Sequence, residues 1–151
     1  VPKAKSRKPG FLAQHSLSLV AITLLIVWLV GYRFLDPKSH LGAFFGNAIA
    51  DWSGSVVIIV GTKFLYEAGS AESRPVKGKE RFAWLDFLHR HSLLLFLVVT
   101  GAVWAFLFIR METESKWGQV VGNIVSEWVQ MTGLVFLTKS LIERGSKESR
   151  S

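Results

Sequence analysis

The sequence predicts an all-α membrane protein: a four-transmembrane-helix bundle built from two tandem helical-hairpin repeats. Three observations carry this prediction. Four stretches are long and apolar enough to enter a membrane. Basic residues gather at one set of stretch ends. The chain also matches itself when displaced by about 76 positions, the distance from His15 to His91.

The four stretches come first. Ser16 to Leu35 has one charge, Arg33, near its end, and Ser92 to Ile109 has none. Leu41 to Thr62 carries only Asp51, and Gly118 to Thr138 only Glu127. A membrane helix needs about 20 mostly apolar residues. Four such spans use most of a chain of 151 residues and leave no room for a soluble domain.

In chain order, residues 1–10 form a basic cytoplasmic tail. Residues 11–74 form repeat 1, with spans over about 16–35 and 41–66. The apolar run of the first span is too long for a secretory signal, and no small-residue cleavage site follows it. Trp28 and Tyr32 sit toward its far end, where amphipathic aromatic rings favour the headgroup region. Asp36-Pro37 breaks the chain, because proline lacks an amide hydrogen and disfavours helix in the residue before it. Residues 75–86 are a basic linker, and the mixed aromatic and charged run Phe82 to Arg90 suits the membrane interface. Residues 87–150 form repeat 2, with spans over about 92–110 and 117–142.

Charge sets the expected topology. About 14 basic residues fall in the two tails and the central linker, against about 4 in the two short loops. The positive-inside rule then puts both termini on the cytoplasmic side of the membrane. The net charge of +7 is explained by topology, and no aromatic and basic interleaving points to nucleic acid. The chain has no cysteine, which excludes disulfides, thiol catalysis and cysteine-ligated metal.

The self-match needs no gap. His15-Ser16-Leu17 meets His91-Ser92-Leu93, Trp28 meets Trp104, and Lys63 meets Lys139. Gly42, Gly46, Asn47, Asp51 and Trp52 meet Gly118, Gly122, Asn123, Glu127 and Trp128. Roughly a third of the aligned positions are identical, mainly Trp, Gly, Asn, His, Ser and charges, which shared hydrophobicity does not produce. Each hairpin crosses the membrane twice, so the expected relation is a pseudo-two-fold axis along the membrane normal. The repeats close on Glu67-Ala-Gly69-Ser70-Ala-Glu72-Ser73-Arg74 and Glu143-Arg-Gly145-Ser146-Lys-Glu148-Ser149-Arg150. At these motifs the chain resembles an uncharacterised family of small bacterial integral membrane proteins with two tandem two-helix repeats. That resemblance implies fold and location, and no activity.

The candidate site lies on the second and fourth spans. Asn47, Asp51 and Ser55 are four residues apart and share a helical face, and Asn123, Glu127 and Gln130 or Met131 repeat the arrangement. An acid mid-membrane costs about 2.5 to 3.5 kcal/mol, while each Leu, Ile, Val or Phe returns about 0.3 to 0.6. These helices are therefore marginal alone, and their polar stripe is expected to face protein. The stripe suits interhelix hydrogen bonding or an ion or proton site. Gly42, Gly46, Gly118 and Gly122 form small-xxx-small pairs expected to let helices approach closely. His15 and His91, at matching depths, would suit axial ligation of one haem, but a membrane-boundary histidine is more simply a headgroup contact, and no cofactor or metal is expected. No phosphate loop, His-Glu-x-x-His element or nucleophile-base pair on one helix face is present. The expected role is a non-enzymatic membrane subunit in a homo-oligomer or larger complex, with a cation or proton channel or transporter as the alternative.

Overall fold

The structure is a computed structural model that describes residues 10–73, 82–112 and 114–141. The basic tail before Gly10, most of the central linker and the second closing motif lie outside these residues. The described chain forms five α-helices: α1 (Phe11–Phe34), α2 (His40–Gly61), α3 (Ala83–Arg90), α4 (Ser92–Arg110) and α5 (Lys116–Ser140). All but α3 are long and apolar enough to cross a membrane.

The helices pack in the order α1, α2, α5, α4, with α3 against the start of α4. α2 and α5, the less apolar spans, are the more buried within the bundle. α1 and α4 expose apolar side chains such as Val20, Ile26, Val99 and Phe106. The core runs along the middle of the row and includes Tyr32, Ile49, Leu97, Ile124, Trp128 and Val135. Trp128 donates its indole N–H to Thr100 Oγ1 at 2.8 Å, which satisfies a polar edge that lipid would leave bare.

The two short turns are built alike. Ser39 caps α2 by accepting from Gly42 N at 3.0 Å, and Ser115 caps α5 by accepting from Gly118 N at 3.0 Å. Each serine hydroxyl also donates back to the turn, to Asp36 O at 2.7 Å and to Glu112 O at 2.6 Å. A β-carbon at Gly42 would lie 1.9 Å from Asp36 O, and one at Gly118 would lie 2.2 Å from Glu112 O. These two glycines therefore admit the turn backbone. What lies nearest them is turn backbone, where the small-xxx-small expectation had a facing helix. Gly46 does face a helix of the other hairpin, with Val120 within 3.6 Å of a built β-carbon, and Gly122 receives Phe108 of its own hairpin. At the same end, Tyr32 donates to Lys116 O at 2.8 Å and ties α1 to the start of α5.

α2 is shorter than its apolar run suggests. It stops at Gly61, where the sequence places the end near Tyr66. Thr62 and Lys63 turn the chain, with Leu65 N bonded back to Gly61 O at 2.8 Å. The apolar residues that follow cross to the other hairpin, so hydropathy alone reads them as more span. Residues 66–73 then form a strap over the ends of α4 and α5. Leu93 N donates to Tyr66 O at 3.1 Å, and Ala68 N donates to Arg90 O at 2.7 Å. Gly69 adopts φ +98°, a left-handed conformation that favours glycine.

Candidate functional site: the polar seam between α2 and α5

Helical spacing puts Asn47, Asp51 and Ser55 along α2 and Asn123, Glu127 and Gln130 along α5, and the two helices pack together. Asn123 Nδ2 donates to Asn47 Oδ1 at 2.6 Å. One turn further, Asp51 and Glu127 line one cavity together. Gly54 makes room for the pair, because a β-carbon there would stand 3.2 Å from Glu127 Oε2.

Two cavities lie along this seam. One of about 310 Å³ is lined by Asp51, Gly54, Ser55, Ile58, Glu127 and Met131, among others. The other, of about 450 Å³, is lined by residues including Tyr32, Asn47, Glu114, Gln119 and Asn123. Polar groups therefore follow one another from the turn end of the bundle to the middle of α2 and α5.

Not every expected site residue takes part. Ser55 donates its hydroxyl to Asp51 O at 3.0 Å, so its proton serves its own helix. Gln130 is exposed and lines neither cavity, and Met131 takes the place beside the carboxyl pair. The stripe was expected to face protein, yet Asn47, Asp51 and Ser55 are exposed in the single chain while Glu127 is half-buried. Residues four apart on one face share its fate, and no element of the described chain covers this one.

No family model, curated protein or solved structure matches the chain.

The two boundary histidines occupy different surroundings. His15 packs its ring on Phe11 at 4.5 Å between centroids, and among the described residues it has no hydrogen-bond partner. His91 Nδ1 lies 2.6 Å from Glu67 Oε1. That nitrogen is thus held by a carboxylate, and no described contact joins the two histidines. Among the described residues no group of three or more His, Asp or Glu side chains is placed to hold a metal ion.

The Glu67 cluster was not singled out in the sequence. Glu67 is fully buried, and its Oε1 also receives Lys139 Nζ at 2.9 Å. Ser73 Oγ accepts from Glu67 N at 2.9 Å, and Ser70 Oγ meets Thr138 Oγ1 at 2.9 Å. A glutamate in a charged segment after a span ordinarily reads as solvated. The available signal was its place in a motif that occurs twice.

Proposed function

We propose that the chain is a non-enzymatic integral membrane subunit that assembles through the polar seam of α2 and α5. The proposal includes two tandem hairpins related by a pseudo-two-fold axis along the membrane normal. It places the termini on the cytoplasmic side of a bacterial membrane, and the likeness of the closing motifs to small bacterial membrane proteins belongs to the same reading. The hydrogen bond between Asn47 and Asn123, whose positions are 76 apart, supports the two-fold relation.

One observation carries the functional reading: Asp51 is exposed at the middle of a span. Acyl chains supply no hydrogen bonds, so polar groups within a bilayer turn toward protein or water. A second protein surface over the seam removes a penalty of about 2.5 to 3.5 kcal/mol for the acid. That corresponds to roughly a hundredfold in an association constant. The partner is a second copy or another membrane subunit whose face offers hydrogen-bond donors.

Gentle purification followed by native mass spectrometry from lipid discs tests the reading. The parent protein is expected as an assembly of fixed stoichiometry, and Asp51→Leu with Glu127→Leu is expected to dissociate at roughly hundredfold higher protein-to-lipid ratio. A parent that is monomeric in lipid contradicts it.

The succession of polar groups along the two cavities favours a second reading, an oligomeric proton or cation pathway through the same carboxyl pair. Asp51→Asn with Glu127→Gln in reconstituted vesicles tests it. Flux in the parent that the substitutions abolish supports that pathway, and an absence of flux in the parent removes it.

A further inference from the structure

We propose that the surface formed by His15, Ser16, Thr62 and Lys63 is a docking site for the chain's own second closing segment, Glu143 to Arg150. The inference rests on the tandem-repeat reading above. The first closing segment shows what such a site holds. Glu67 lies between His91 and Lys139, and Ser70 lies against Thr138. Displaced by the repeat distance, these receptor residues become His15, Lys63 and Thr62, and the docked residues become Glu143 and Ser146.

The α1 side of the receptor surface already has the matching local geometry, while Thr62 and Lys63 lie just past the end of α2 and their counterparts Thr138 and Lys139 lie within α5. Phe11 and His15 stack at 4.5 Å with 48° between ring planes, and Phe87 and His91 stack at 4.7 Å with 55°. Ser16 donates to Ala13 O at 3.2 Å, as Ser92 donates to His89 O at 2.9 Å. What differs is occupancy by an acid. Lys139 reaches a buried carboxylate, whereas exposed Lys63, among the described residues, reaches the hydroxyl of Ser18 at 2.7 Å. Leu93 is fully buried at the first site, while its counterpart Leu17 is 66% exposed. A carboxylate brought to Lys63 and His15 completes a charge-assisted pair. α5 ends at Ser140, so Glu143 begins within a few residues of the bundle end. α1 runs unbroken through His15, unlike the chain at His91, where α3 stops and α4 begins. The second site is therefore made by side chains and lacks the backbone bonds of the first.

The natural absence of cysteine allows a direct test by disulfide trapping in the purified, bilayer-reconstituted full chain. Ser70→Cys with Thr138→Cys sets the reference, since those hydroxyls are 2.9 Å apart. Ser146→Cys with Thr62→Cys is expected to close within the chain to at least half the reference yield. The off-register pair Ser149→Cys with Thr62→Cys is expected to close at least fivefold less. An open Ser146 pair, or equal closure of both pairs, overturns the proposal. A bond formed only between chains also overturns it and assigns the surface to a second copy. Asn47→Cys with Asn123→Cys, joined by a short bis-thiol reagent, reports on the repeat reading separately. If that pair links while the Ser146 pair stays open, only the second docking site fails.

Discussion

At the scale of single residues, the glycines divide by what their missing side chain makes room for. Gly118→Ala forces a β-carbon onto Glu112 O and is expected to destabilise by about 1 to 3 kcal/mol, as overpacking does. Gly133→Ala meets open space and is expected to stay within about 0.5 kcal/mol. Equilibrium unfolding in mixed micelles compares the two, and equal effects would contradict the assigned role of Gly118. Lys139→Met leaves fully buried Glu67 with His91 as its remaining ion-pair partner among the described residues. Removing one partner of a fully buried pair costs about 3 to 5 kcal/mol, but Lys139 is one-third exposed. The expected loss is therefore lower, about 1 to 3 kcal/mol, once solvent screening is allowed for. The same unfolding measurement checks it. The Asn47 and Asn123 amides are expected to couple by about 0.6 kcal/mol in a double-mutant cycle, the average for interhelix hydrogen bonds in membranes. A coupling of zero would mean that the 2.6 Å contact is absent in lipid.

At the scale of elements, α2 carries the clearest consequence. Its acid lies mid-span, so α2 presented alone to an insertion assay is expected to insert poorly, and Asp51→Leu to improve insertion by about 3 kcal/mol. Good insertion of the unaltered helix would show that the acid imposes no such cost. The same element shows where sequence reading stops. The four long helices were legible because run length and scarcity of charge set what lipid tolerates. The end of α2 was not, because Phe64, Leu65 and Tyr66 continue the hydropathy while the chain has already turned toward α4. The run over α3 is read from the sequence as a mixture of aromatics and charges suited to the membrane interface, and the structure folds it into a short helix. Its Trp84, Phe87 and Leu88 and the preceding Phe82 are exposed, and Arg90 pairs with Asp86 at 2.8 Å.

At the scale of the whole molecule, the features that join the hairpins include the α2 and α5 seam, the strap of residues 66–73 across α4 and α5, and the tie from Tyr32 to the start of α5. The seam was legible because both motif copies put an amide and an acid at one helical spacing. The strap was not, because its contacts join residues such as Glu67 and Lys139 that no local pattern links. The exposure of the polar stripe was also out of reach of the sequence. Spacing shows which residues share a face, but only packing shows what covers that face. The central claim is that another protein surface covers this one in the bilayer. The most direct measurement is spin-label accessibility at Ser55→Cys in reconstituted vesicles, with lipid-facing Val99→Cys as the reference. The account predicts that the label at position 55 is shielded from both oxygen in the lipid and a water-soluble paramagnetic metal complex. Oxygen collision at position 55 equal to that at position 99 would place the stripe in lipid and contradict the claim.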